Sequence, residues 1–403
     1  MGISKPTKYV FFRNLLDVFY IWKQEFLNIF RESGILIIFF IAPLSYPILY
    51  GVVYNNEVLH DVSIAVVDLS KKSQSRYYIR ALDATPELNV AYLSHSLEEA
   101  KLLFYEQKVH GIVLVSADFD ANIVQGKQAS VSAYFDMSSF LYYKTMMTAV
   151  SIVSKDVGAQ IQYTNLINSG LTEQEARIAT NPMPYNSVPM FNSGGGFSSF
   201  LLPVIFILIL YQTLMLGISM LSGVYWEENE YKRLIPFNKR YHGTLRIVFG
   251  KALCYFSLYA VLTFYMLGFM PYVFNLPHVG SPGALLVFMI PFLLATIFLA
   301  MTFSVVMRNM ESAFLLLLFM TLPLLFLAGV SWPQSNIPVF WKFVSYLFPS
   351  THGIQGYVRI NTMGAGLNEV GFEYFVLWLQ VGVYFLTACL SYNRQIKLSG
   401  LRK

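Results

Sequence analysis

The sequence predicts an α-helical polytopic membrane protein with six transmembrane helices and an α/β domain inserted after the first. Three observations carry this. Of 403 residues, 55% are hydrophobic and only 13% charged, a balance outside that of soluble domains. The charges gather in blocks between long uncharged stretches. Six of those stretches approach the roughly 20 residues that a helix needs to cross hydrocarbon: 34–54, 197–224, 247–274, 283–307, 312–330 and 372–392.

The first 33 residues read as a cytoplasmic amphipathic helix. The apolar core starts only at Ile35, too late for a cleavable secretory signal. Before it, Phe11, Leu15, Phe19, Trp22 and Phe26 recur at spacings of three and four among Arg13, Lys23 and Arg31. That period places the aromatics on one helical face, as in a helix lying on a bilayer. Residues 34–54 form the first span.

Residues 55–196 form the insertion. Strands are expected at 62–67, 88–93, 110–115 and 131–135, alternating with helices, the pattern of a small α/β layer. Ser70 is expected to cap the first helix, and Ser96 with Glu99 to form a capping box on the second. A further helix is expected near 119–126, a long one over 138–169, and another ending near Thr180. With no phosphate loop and no metal-ligand cluster in its sequence, the insertion reads as a structural or partner-contacting domain.

Residues 197–403 carry the other five spans. Their interiors are read as free of Asp, Glu, Lys, Arg and His, with Lys251 taken as the close of a charged segment outside the membrane. Intramembrane ionisable groups mark ion and proton pathways, so this reading disfavours a proton- or sodium-coupled transporter. Lysine and arginine set the orientation. The N-terminus, the segment after span two, Arg308 and the tail 394–403 carry the basic residues, which puts both termini in the cytoplasm.

Two segments stand out. The cytoplasmic stretch 225–246 opens with Glu227, Glu228 and Glu230 and continues through Lys232, Arg233, Leu234 and Phe237. It reads equally as a docking surface for a cytosolic partner or as an ordinary positive-inside loop. On the opposite side, 331–366 follows a break at Gly329 and is interrupted by Pro333, Pro338 and Pro349. Within it, 339–348 carries Trp341, Phe343, Tyr346 and Phe348, too apolar for an aqueous loop and too short to span. A re-entrant or interfacial helix fits. Ser350, Thr351 and His352 adjoin it, but no acid is evident to orient the imidazole, so the hydroxyls are read as helix caps. The six histidines have no ligand spacing, and Cys254 and Cys389 read as buried hydrophobes. No metal or cofactor is expected on this chain. It contains no G-x-x-x-x-G-K-[ST] phosphate loop, so nucleotide hydrolysis is not expected of it.

Three local patterns resemble the permease subunit of the type-2 ATP-binding-cassette exporter family, in the subgroup with a large extracytoplasmic domain between spans one and two. They are IAVVDLSKKSQSRYYIRAL from Ile64, the acidic run at Glu228 and Glu230 closed by Gly250-Lys251, and LAGVSWPQSNIPVFWKFVSYLFPST. One departure is plain: Tyr231, Lys232 and Arg233 stand where the family places a Gly-Thr pair. The resemblance implies an exporter energised by ATP on separate ATPase subunits, which dock around Glu227–Phe237. It implies a second permease subunit, identical or paralogous, an optional periplasmic adaptor, and an outer gate containing Gly329, Pro333, Pro338, Trp341, Phe343 and Pro349. It implies the bacterial inner membrane; the aromatic, uncharged spans suit a hydrophobic or amphipathic substrate. A receptor or scaffold acting through the inserted domain is the alternative.

Overall fold

A computed structural model of the chain describes residues 7–55, 58–184, 188–192, 195–228, 243–329 and 332–401. They divide into two compact units, Val58–Val188 and the remainder.

The helical unit opens with α1 (Thr7–Arg31) and the first apolar helix α2 (Ser33–Val53). The aromatic stripe of α1 is not its packed face. Leu15 and Phe19 are exposed and Trp22 and Phe26 half-buried, whereas Ile21, Glu25, Asn28 and Ile29 are buried. Residues Ile37–Ile41 of α2 form a π-helical turn just ahead of Pro43. A proline has no N–H to donate and crowds the carbonyl four residues back, here that of Phe39, and the widened turn accommodates both.

The inserted unit is a four-stranded sheet with helices on both faces. β1 (Val62–Asp68), α3 (Ser73–Asp83), β2 (Leu88–Ser94), α4 (Leu97–Tyr105), β3 (Gly111–Val115), α5 (Phe119–Val124) and β4 (Val131–Phe135) follow in order. The strand order is β2-β1-β3-β4, with β4 alone antiparallel. Alternation along β1 sets the layers: Val62, Ile64 and Val66 pack with Tyr78 and Leu82 of α3 and Val150 and Val153 of α6 (Phe140–Asn168). Ala65 and Val67 face Ala100 of α4 on the other side. The short α7 (Glu173–Thr180) starts at a Thr172/Glu175 capping box.

Two local expectations are corrected by the structure. Ser70 does not cap α3; it lies in the preceding turn. Ser96 does cap α4, accepting from the Glu99 N–H at 3.2 Å, but Glu99 accepts from the His95 N–H instead of returning to Ser96.

Five more apolar helices complete the helical unit: α8 (Phe197–Glu227), α9 (Thr244–Val273), α10 (Pro282–Ser304), α11 (Met310–Leu327) and, after two short helices, α14 (Gly371–Leu401). The short ones are α12 (Val339–Tyr346) and α13 (Pro349–Asn361). With α2, six helices among the described residues are long and apolar enough to cross a membrane. α8 is the hub, buried along most of its length and packed on α10, α11 and α13. A second π-helical turn, Phe264–Phe269, precedes Pro271 in α9.

Candidate functional site

The chemistry of the helical unit collects at the two ends of α9. Its 30 residues place those ends about 45 Å apart at the α-helical rise.

At the N-terminal end, α1, α8 and α9 meet. The close approach of α1 to α9 depends on Gly250, where a Cβ would lie 2.7 Å from the Cβ of Ile21 and 2.9 Å from the Val18 carbonyl oxygen. One helical step on, Lys251 Nζ donates to Glu25 Oε1 at 2.9 Å and lies 2.8 Å from Oε2. The Tyr255 hydroxyl donates to the same carboxylate, and the Tyr225 ring lies 5.2 Å from the ammonium. Both charged side chains are only 2% exposed. This corrects the expectation of uncharged span interiors: Lys251 lies within α9, and its counter-charge comes from α1, 226 residues earlier. Glu373, in the first turn of α14, is a second exception. A half-exposed pair, Arg246 with Asp17, and a bond from Trp22 Nε1 to Ser257 Oγ at 3.1 Å extend the α1–α9 seam.

Of the seven predicted coupling residues, Glu227 and Glu228 are described, and both are exposed at the end of α8. Glu230, Lys232, Arg233, Leu234 and Phe237 lie outside the described residues. Glu227 Oε1 accepts from the Met310 N–H at 3.4 Å, at the N-terminus of α11, where a carboxylate is favoured by the helix dipole. Gly223 makes that approach possible, because a Cβ there would sit 2.6 Å from the Asn309 carbonyl carbon and 2.7 Å from its oxygen. Backbone cannot yield as a flexible side chain does. Gly223→Val is therefore expected to destabilise the protein by about 1–3 kcal/mol, read as a lower Tm of the detergent-solubilised chain.

At the other end of α9, the predicted gate residues fall into two classes. Gly329, Pro333, Pro338 and Pro349 shape the chain. Gly329 takes a left-handed φ of 85°, Pro333 precedes a 3-10 turn, Pro338 precedes α12, and Pro349 opens α13. Trp341 and Phe343 instead stand on an exposed apolar face of α12. The surroundings of α13 are not those its sequence suggests: it is buried against α8, α10 and α14 although it is polar. Gly353 and Gly356 let it close on Phe292 and Phe288 of α10. Gln355 Nε2 donates to the Ala328 carbonyl at 3.1 Å, and Arg359 Nη1 donates to Glu373 Oε1 at 2.8 Å. From α14, Gln380 Nε2 donates to the Tyr346 carbonyl at 2.8 Å and the Tyr384 hydroxyl to that of Leu347.

The capping role expected of Ser350 and Thr351 is not what the structure shows. Both hydroxyls are buried and have no hydrogen-bond partner among the described residues. His352 is fully buried between Tyr346 and Phe372, with ring centroids 5.0 and 6.1 Å away. Neither ring nitrogen of His352 has a hydrogen-bond partner among the described residues, so no acid orients the imidazole.

The inserted unit offers a nucleotide-like position, and the chain itself fills it. The N-terminus of a helix following a strand is a ready anion site. In α3, the Gln74 and Ser75 N–H groups donate to the Asp120 carboxylate at 2.8 and 3.2 Å, and the Ser70 hydroxyl does so at 2.8 Å. Asp120 thus occupies the place a phosphate would take. Among the described residues, no cluster of His, Cys, Asp and Glu could hold a metal ion.

Residues 33–390 match a family described as "ABC-2 family transporter protein". Among curated proteins, the chain is 24% identical over 407 residues to "ABC transporter G family member 20" of Dictyostelium discoideum, covering 98% of this chain and 53% of that protein. The chain thus spans about half the length of the curated relative it matches.

Proposed function

Because this chain belongs to the ABC-2 family of transporter proteins, and so is a multi-pass membrane component of such a transporter, we propose that it is the permease subunit of an ATP-driven exporter. The observation that carries this reading is the family match itself, which begins with α2 and reaches into α14, taking in all six apolar helices. ATP would be hydrolysed on separate ATPase subunits. A second permease subunit would complete the pathway, and an adaptor could extend it. The inserted unit would stand on the extracytoplasmic side of a bacterial inner membrane, with both termini in the cytoplasm. A hydrophobic or amphipathic substrate suits walls built from apolar helices.

In this reading the ATPase docks on the segment from Glu227 to Phe237. Support comes from what flanks it: on one side Glu227 meets α11, and on the other Arg246 and Lys251 meet α1. A push on the segment would reach α8 and α9 and, through these contacts, α11 and α1. Replacing both Glu228 and Glu230 by alanine is expected to lower substrate-stimulated ATPase activity of the assembled complex at least several-fold, with the amount of folded chain unchanged. Unaltered ATPase activity and transport would remove the coupling role from these acids.

The outer gate would be α12 with Gly329, Pro333 and Pro338, moving against α13, which Pro349 opens. Support comes from the exposure of Trp341 and Phe343 beside a buried α13. Single cysteines at Phe340 and Phe343 are expected to change their rate of labelling by a water-soluble maleimide when nucleotide is added. Rates indifferent to nucleotide would reduce α12 to an anchor.

A further inference from the structure

The inserted unit has a cleft unrelated to the membrane helices. It lies at the carboxyl ends of β1 and β2, beside α3, and has a volume of about 590 Å³. The volume falls in the range of small-molecule sites. The floor is aliphatic, formed by Val66, Ile79 and Leu93; the rim carries Lys71, Arg76 and Arg80.

The charge balance of the rim is one-sided. Asp68 also lines the cleft, but its carboxylate is already engaged. Oδ1 accepts from the Ser70 and Lys71 N–H groups at 3.0 and 2.9 Å, and Oδ2 from the Ser75 hydroxyl at 2.9 Å. Those bonds hold Lys71 at a left-handed φ of 55°. Arg76 Nη2 donates to the Lys71 carbonyl at 2.9 Å, which ties two of the cations together. His95, also on the rim, is turned to Glu99 at 3.7 Å.

We propose that this cleft binds an amphipathic anion, with a carboxylate or phosphate head among Lys71, Arg76 and Arg80 and a short aliphatic body over Ile79 and Leu93. The anion site at the N-terminus of α3 is a different place, already filled by Asp120. The chemistry of the cleft stands whatever the membrane helices do.

The test uses the full chain in phosphatidylcholine nanodiscs and radiolabelled octanoate in equilibrium dialysis. Saturable binding of one octanoate per chain is expected, and the double variant Arg76→Ala/Arg80→Ala should weaken it at least tenfold. Lys127→Ala, in a separate cleft, should leave it unchanged. Arg76 and Arg80 are exposed, and circular dichroism of the variants checks that the fold persists. Competition distinguishes the heads: octyl phosphate outcompeting octanoate assigns a phosphate ligand, and the reverse assigns a carboxylate. Competition by neutral octanol as strong as by octanoate would overturn the proposal, as would octanoate binding that the double variant retains.

Discussion

Glu25→Ala is expected to destabilise the detergent-solubilised protein by about 3–5 kcal/mol, the usual cost of stranding one member of a buried ion pair. The stranded group is Lys251, 1% exposed and inside a membrane helix. Lys251→Ala should cost a similar amount by stranding Glu25. Tyr255→Phe should cost less, because the carboxylate keeps its ammonium partner. The informative variant is the double replacement Glu25→Leu/Lys251→Met. It removes both charges and keeps the volume, so its Tm should return most of the way to that of the unaltered chain. A Tm loss in the double variant equal to the sum of the singles would show that the groups act independently. If the double variant folds but no longer couples ATPase activity to transport, the pair is there to join α1 to α9 rather than to stabilise the fold.

Gly280→Ala should be the most damaging single methyl in the helical unit. Gly280 lies in the turn between α9 and α10, and its N–H and that of Val279 donate to the Asn361 carbonyl at 3.2 and 2.8 Å. A Cβ on Gly280 would fall 2.1 Å from the Ile360 carbonyl oxygen. Two backbones already joined by hydrogen bonds cannot separate without releasing the end of α13. A loss of about 3 kcal/mol, at the top of the overpacking range, is expected in thermal unfolding, together with reduced transport by the complex. Gly283→Ala is the matched control three residues on. There the nearest atom to the added Cβ is Ser281 Oγ at 3.8 Å, and stability should hold or rise slightly. Equal behaviour of the two variants would mean that the turn gives way freely.

What could be read from sequence divides along physical lines. The spans were legible because a run of apolar residues as long as a bilayer is thick has few other uses. The strands of the inserted unit were legible because β1 is a short apolar run between turn residues, buried almost throughout, while β4 alternates in burial. Relations across long sequence separations were not. Nothing near Glu25 indicates that its partner is Lys251, and a lysine early in an apolar run reads as a flank. A usable signal did exist: Asp17 and Glu25 share one helical row with Ile21 and Ile29, two acids on the row that packs. α13 escaped for the opposite reason. Its Ser, Thr, His, Gln and Arg look like surface, and only three-dimensional packing shows them enclosed. The cap on α3 escaped because Asp120 arrives from 45 residues away.

The burial of α13 also bears on how the chain is made. Ten of its 13 residues are buried, yet a segment reading STHGIQGYVRIN cannot enter hydrocarbon unaided, since an arginine alone costs about 2.5–3.5 kcal/mol at mid-membrane on insertion scales. Its seat is built by α8 and α10, which precede it, and closed by α14, which leaves the ribosome after it. The enclosure of this polar helix is therefore completed only once the final span has been made, and a nascent chain halted before α14 would leave one side of α13 uncovered.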